Sequence, residues 1–349
     1  MEDITIKDIA KKCGVGVSTV SRAMNNHPDI NPKTKDMIMQ VIKETGFAPN
    51  NNARNLKRTD AKCIALLVKG IGNPFFTKMI QVIEEETKNR KYAMVLRHVD
   101  NSEDEVAVAM ELIKEKRLRG IVFLGGTFYH DREVLERLNV PFIFSTIGIS
   151  EVSEEERQAY SNIAVDDKLE SKRMTDYLLD LGHKKIAIIA EGPRECSVGQ
   201  LRLEGYLKAF ADRGLETDPD LIVYVDEKIE RYSMENGYLT AQKLLKTGKD
   251  FTAIFAIADN LAMGACRAMI EAGKEIPRDV TVVGFDGIDA GKYYNPQLTT
   301  MKQPVADMAK KTISLLLDVI AGKKQHEHIL FPAELVIRES SAGASRQLG

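Results

Sequence analysis

Residues 64–68 read Ile64-Ala65-Leu66-Leu67-Val68, and after the break Lys69-Gly70-Ile71-Gly72 the stretch Asn73-Pro74-Phe75-Phe76 opens an amphipathic segment reaching Asn89. A short, continuously apolar run predicts a strand buried on both faces, and the segment behind it predicts a helix. The same alternation continues through a strand at Tyr92–Leu96, a helix at Glu103–Glu115, and strands at Gly120–Leu124 and Pro141–Phe144. It then restarts with Ile186–Ala190, a helix from Gln200 to Arg213, and a strand at Leu221–Tyr224. A helix at Met234–Leu245, a strand at Ala253–Ile257, a helix at Leu261–Ala272 and a strand at Val280–Gly284 complete it. Apolar strands separated by helices imply parallel sheets in α/β layers, and two successions imply two lobes. Ligands on such sheets sit outside the carboxyl ends of the strands, here in the crevice between lobes.

The rest of the composition narrows the class. The chain has 349 residues, 44% hydrophobic and 29% charged, which is globular composition with room for about two to three domains. No stretch approaches the roughly 20 apolar residues that span a bilayer, and the start Met1-Glu2-Asp3-Ile4 lacks a secretory pattern. Cys13, Cys63, Cys196 and Cys266 are too far apart for a metal-ligand pair or a disulfide framework. A reducing cytoplasm is the expected compartment. The net charge of −2 is uneven: residues 1–60 hold 10 Lys and Arg against 7 Asp and Glu, the remainder 39 against 44. A basic end on an acidic body fits a nucleic-acid module joined to something else, and a solvated linker fits equally.

Residues 1–46 read as three short helices. Ile6, Ile9, Ala10 and Cys13 recur at helical spacing before Gly14-Val15-Gly16. A second helix runs from Val17 to Met24, and Asn31-Pro32 supplies an N-cap and a first-turn proline for a third that stops at Gly46. That is the plan of a helix-turn-helix, and also of any small helical bundle. The second helix presents Ser18, Thr19, Ser21 and Arg22 with no acid. Short hydroxyls suit phosphate oxygens, and the arginine fork suits guanine O6 and N7.

Catalytic signatures are missing: the sequence has no dinucleotide fingerprint, phosphate loop, nucleophile elbow or zinc-protease motif. Gly125-Gly126-Thr127 follows a strand, where a Gly pair can bind an anion but more often makes a turn. His326-Glu327-His328 suggests a metal pair but reads rather as an exposed loop, Cys13 as a core residue and the tail after Arg338 as small and polar. Asp286 stands where α/β proteins place functional side chains, and where a loop cap would also stand.

Taken in order, the motifs resemble the LacI/GalR transcription regulators. Thr5-Ile6-Lys7-Asp8-Ile9-Ala10, Cys13-Gly14-Val15, Ser18-Thr19-Val20-Ser21-Arg22 and Asn25 are similar to that family's headpiece, and Gly46-Phe47-Ala48-Pro49-Asn50 with Ala53-Arg54 and Leu56 to its hinge. Asn73-Pro74-Phe75-Phe76, Leu181-Gly182-His183, Arg202-Leu203 with Gly205-Tyr206, Gly284-Phe285-Asp286, Leu298-Thr299-Thr300 and Ile337-Arg338-Glu339-Ser340 follow. The resemblance implies an α/β protein with a helix-turn-helix headpiece over 1–49, a hinge over 50–61, and a two-lobed periplasmic-binding-protein-like core over 62–349. Its lobes would span roughly 62–164 and 165–290, with the chain crossing back after 290. It implies a homodimeric repressor on pseudo-palindromic operator DNA, switched by a small effector such as a sugar or sugar derivative. No enzyme activity, cofactor, metal or membrane partner is expected.

Carried over residue by residue, Val17, Ser18 and Arg22 fall at base-reading positions, and Thr5, Thr19, Ser21, Asn25, Asn31 and Thr34 at phosphate-contacting ones. Asn50 and Ala53 belong to the hinge contacts, and Leu56 to a wedge in the minor groove; a flexible basic linker is the alternative for this segment. Gly16 departs from the usual Ser, which puts one phosphate contact in doubt. Phe75, Phe76, Asn101, Arg202, Tyr232, Asp259, Asp286 and Gln303 match effector contacts, types suited to a polyhydroxylated ligand. Many relatives read Ala-Asn-Asp where this chain has Ala258-Asp259-Asn260. A carboxylate there disfavours anions while Arg202 favours them, leaving effector charge open. A solute-binding receptor and an α/β enzyme share the architecture. The basic headpiece and the start of the chain speak against the first, the missing motifs against the second.

Overall fold

The structure, a computed structural model, describes residues 4–24, 27–45, 47, 62–100, 102–126, 132–148, 158–192 and 197–342. The chain divides into two compact units, residues 1–61 and 62–349.

The small unit holds helices α1 (Ile6–Cys13), α2 (Val17–Met24) and α3 (Pro32–Thr45). Ile9, Ala10, Val20, Ala23 and Ile38 form its buried core, with Cys13 packed against it. Thr5 caps α1: its backbone N–H and hydroxyl both donate to Asp8, at 2.9 and 2.6 Å. Gly14 ends that helix in the left-handed region, at φ 64°. The Asn31 Oδ1 accepts from the Lys33 N–H at 2.9 Å, with Pro32 opening α3, the cap and proline read from sequence.

The large unit contains two sheets, each six-stranded among the described residues. The first runs β11 (His328–Phe331), β5 (Ser161–Val165), β4 (Phe142–Ser145), β3 (Gly120–Leu124), β1 (Cys63–Lys69), β2 (Ala93–Val99). The second runs β12 (Glu334–Val336), β10 (Thr299–Lys302), β9 (Thr281–Asp286), β8 (Ala253–Ala256), β6 (Ile186–Ala190), β7 (Ile222–Tyr224). All pairings are parallel except β10 with β12. Central strands such as β3, β6 and β8 are buried at every position, because helices cover both faces.

Helices α4 (Pro74–Asn89), α5 (Glu105–Glu115), α6 (Arg132–Glu136), α7 (Asp167–Asp180), α8 (Val198–Asp212), α9 (Met234–Lys246), α10 (Asp259–Glu271) and α11 (Asp289–Tyr293) connect the strands in chain order. Helices α9 and α10 meet at backbone contact. A Cβ at Gly264 would lie 2.0 Å from the Met234 carbonyl oxygen, and one at Gly237 2.2 Å from that of Leu261, so only glycine admits this approach.

The chain crosses between sheets at 165–167 and returns only after Lys302, where α12 (Val305–Ile320) packs on the first sheet. It crosses once more at 331–334. The segment read as an exposed loop at 326–328 instead leads into β11, with the Ser161 Oγ 3.1 Å from His326 Nδ1. The tail is also more embedded than its composition implied. Ser340 and Ser341 are fully buried, and the Ser340 hydroxyl donates to the Val282 carbonyl at 2.6 Å.

Candidate nucleic-acid interface and ligand cleft

On α2, Val20 and Ala23 face the core while Val17, Ser18 and Arg22 are exposed and Ser21 is half-buried. Positions 17, 18, 21 and 22 share one helical face, so the three residues expected to read bases stand together with Ser21, one of those expected at phosphates. Arg22 NH1 lies 3.3 Å from Asp29 Oδ2, and His27 Nδ1 lies 2.6 Å from Asp29 Oδ1. The His27 hydrogen bond, ahead of the Arg22 charge, holds the Asp29 carboxyl below its usual range. Thr5 and Asn31, expected at phosphates, are occupied by capping. Thr34 is half-buried and Thr19 likewise. Asn25, Asn50, Ala53 and Leu56 lie outside the described residues, as does Asn101.

In the large unit a cleft is lined by Lys69, Asn73, Phe75, Phe76 and Gly125 on the first lobe and by Glu191, Arg202, Glu230, Arg231, Tyr232 and Asp286 on the second. Gln303, on the crossing segment, joins them. Of the expected effector contacts, Phe75, Phe76, Arg202, Tyr232, Asp286 and Gln303 therefore converge. Phe75 and Phe76 reach the cleft because Asn73 caps α4, its Oδ1 accepting from the Phe75 N–H at 3.1 Å. Their ring centroids are 5.4 Å apart.

Arg202 organises the floor. Its Nε donates to Asp167 Oδ1 at 2.9 Å, its NH1 lies 3.3 Å from Asp286 Oδ1, and its guanidinium sits 3.7 Å over the Phe285 ring. The Gln303 amide donates to Asp286 Oδ1 at 2.9 Å. Asp286 has φ +117°, a left-handed backbone held for a non-glycine residue by this network. Burial pushes the Asp167 carboxyl up to about 6 against the pull of Arg202, and raises Asp286 by the same cause. Glu191 accepts from Arg231 NH1 at 2.9 Å and from the Tyr232 hydroxyl at 3.1 Å. Burial, then the Glu191 charge, raises the Tyr232 phenol well above its usual value. A Cβ at Gly199 would lie 2.6 Å from the Glu191 side chain, so that glycine makes room for the carboxylate.

Asp259 is the exception. It does not line the cleft but lies fully buried behind it. Its carboxylate accepts from the Thr300 hydroxyl at 2.6 Å and from the N–H groups of Gly287 and Ile288, both at 2.8 Å. The exchange at 258–260 therefore does not put a carboxylate against a ligand. Burial and then the Asp286 charge push Asp259 up to about 8, opposed by those three donors. The sequence reading missed Lys69, Asn73, Glu191, Glu230 and Arg231; only Asn73, within a quoted motif, carried a signal.

Among the described residues no helix is long and apolar enough to cross a membrane, and no cluster of His, Cys, Asp or Glu could hold a metal ion.

Comparison with known proteins matches residues 5–50 to bacterial regulatory proteins of the lacI family and residues 175–341 to the periplasmic binding protein-like domain. The HTH-type transcriptional regulator MalR of Clostridium butyricum is 38% identical over 97% of this chain and 99% of its own. The structure of a transcriptional regulator CelR–cellobiose complex superposes with TM-score 0.70 at 27% identity, covering 97% of this chain and 99% of that one. The lac repressor bound to ONPG in its repressed state superposes with TM-score 0.76 at 24% identity, covering 97% and 100%, a likeness of fold. With a headpiece that presents Val17, Ser18 and Arg22 on one helix, and a two-lobed core that follows it in sequence, the chain belongs to the lacI family of DNA-binding transcriptional regulators.

Proposed function

We propose that this regulator is a homodimeric, cytoplasmic repressor, not an enzyme, whose hold on a pseudo-palindromic operator is switched by a carbohydrate in the cleft. The cleft carries the reading: both lobes contribute to it, with aromatic rings at Phe75, Phe76 and Tyr232 and hydrogen-bonding groups at Asn73, Arg202, Asp286 and Gln303. Rings cover the C–H faces of a sugar, and amide, carboxylate and guanidinium groups bond its hydroxyls. The CelR–cellobiose complex among the similar structures favours the same ligand class. On the DNA side, Val17, Ser18 and Arg22 read bases, while Thr5, Thr19, Ser21, Asn25, Asn31 and Thr34 hold phosphates. Thr5 and Asn31 do so with the atoms that capping leaves over. Asn50, Ala53 and Leu56 act in the hinge.

Thermal melting against a carbohydrate panel tests the ligand. A sugar at 100 times its dissociation constant adds about 2.7 kcal/mol to the folded state, an evident rise in Tm. The hit must then change operator binding. A panel without a hit, or a hit that leaves operator affinity unchanged, overturns the reading.

A further inference from the structure

Every cation that lines the cleft among the described residues already has its own carboxylate. Lys69 Nζ lies 2.9 Å from Glu105 Oε2, Arg231 NH1 lies 2.9 Å from Glu191 Oε1, and Arg202 sits between Asp167 and Asp286. The acids are well removed from water: their side chains are 2–5% exposed. Glu230 adds one more carboxylate to the lining. With the acids behind Lys69 and Arg202 counted, three cations stand among five acids of the described residues, a formal surplus of two negative charges.

From this we infer that the cleft selects an uncharged, hydroxyl-rich ligand and rejects its phosphorylated and carboxylated relatives, an inference that rests on the cleft being the effector site. A phosphate is held best by a fork or ammonium group whose charge is free. Here each cation is already balanced by a buried acid. A phosphate must either draw one away, leaving that carboxylate without its counter-ion in a poorly solvated place, or sit on N–H groups the pairs leave over, such as Arg231 Nε, beside the carboxylate already there. It would also meet the surplus negative charge. A hydroxyl faces neither obstacle, since it donates to the open lone pairs of Asp286 or Glu191 and accepts from unused N–H groups without breaking an ion pair. Rejection of charged analogues is therefore built into the pairing itself.

Isothermal titration with the purified full chain tests this, using glucose, maltose and cellobiose beside glucose 6-phosphate, maltose 6′-phosphate and glucuronate. The expected result is binding of a neutral sugar, with its charged counterpart at least about tenfold weaker. Glu191→Gln keeps the shape and an acceptor for Tyr232 while releasing the charge of Arg231, and should narrow that gap by about tenfold. Glu105→Gln, acting through Lys69 on the other lobe, repeats the test should the first variant melt early. Wild-type protein that binds the phosphorylated sugar as well as the neutral one overturns the inference while leaving a small-molecule effector in place. Equal losses for both ligands in the variants also overturn it. If no compound binds, neutral or charged, the effector reading falls instead.

Discussion

Asn73 Nδ2 stands 3.4 Å from Asp286 Oδ2, so the cap of a first-lobe helix reaches the strained end of a second-lobe strand. Capping alone would accept Asp, Ser or Thr at position 73. Asp would leave no donor, and a hydroxyl would have to serve both partners from one short-armed oxygen. The amide uses its oxygen on the helix and keeps a separate N–H donor for the opposite lobe. The same Asp286 is bonded by Gln303 on a crossing segment and by Arg202, whose other partner Asp167 follows the first crossing. One carboxylate thus gathers both lobes and two of the connections between them.

Asn73→Asp should keep the cap and lose the bridge, setting two carboxylates where an amide met one. The Tm should stay within a few degrees of the parent. Effector affinity should fall by about 1–2 kcal/mol, the scale of a charge-assisted hydrogen bond replaced by repulsion. Titration calorimetry on both proteins measures it, and equal affinities would show that the bridge plays no part in closing the cleft.

Arg22 leads to a second expectation. As the charged fork on the exposed face of α2, it should contribute about 1–3 kcal/mol per half-site of discrimination against the wrong base. Arg22→Ala should bring operator and random DNA close together in affinity at fixed salt. Asp29→Asn should do something different: with its partner at 3.3 Å neutralised, Arg22 is freed and both DNAs should bind more tightly. An unchanged operator-to-random ratio in Arg22→Ala would remove this residue from base reading.

Much of this was legible from sequence, for a physical reason. Strands buried on both faces leave unbroken apolar runs, so Gly120–Leu124 and Ile186–Ala190 were read to the residue. Caps and prolines fixed the starts of α3 and α4 in the same way. The late crossings were not legible: β11 begins at His328 and is only half covered, so its pattern looks like a loop. In the cleft, Glu191 and Arg231 gave no local signal because each matters only as the partner of the other, 40 positions apart. Asp259 misled because position along the chain places it at a strand end, while the backbone turns its carboxylate inward to Gly287 and Ile288.

That inward carboxylate yields a pH prediction. The folded-state value of Asp259 is raised to about 8 from 3.8, so its contribution to stability is fully present below about 3.8, is lost progressively as pH rises between the two values, and is gone above about 8. Asp259→Asn can keep the geometry, its oxygen accepting the two backbone N–H groups and its amide donating to the Thr300 oxygen. The variant's advantage over the parent should grow as pH rises from about 5 to about 8, by up to about 1.4 kcal/mol per unit, and level off above. Effector affinity should not change, since the side chain lies behind the cleft. Melting curves across pH 5–9 give the comparison, and parallel curves for the two proteins would show that Asp259 does not take up a proton on folding.

The last prediction couples the ligand to DNA. Residues 62–69 carry the chain from the hinge segment directly into β1, at whose end Lys69 and Gly70 line the cleft. A ligand that draws the lobes together therefore acts on the strand that leads from the headpiece. Linkage makes the effect reciprocal: if effector changes operator affinity by some factor, operator must change effector affinity by the same factor, typically about 5–150-fold. Arg202→Ala and Gln303→Ala should each abolish the effector response while operator affinity without effector stays near the parent's. Neither residue belongs to the unit that carries α2. Operator binding with and without effector, and effector titration with and without operator, close the cycle. Equal effector affinities in the presence and absence of operator would leave a DNA-binding protein whose cleft does not govern its headpiece.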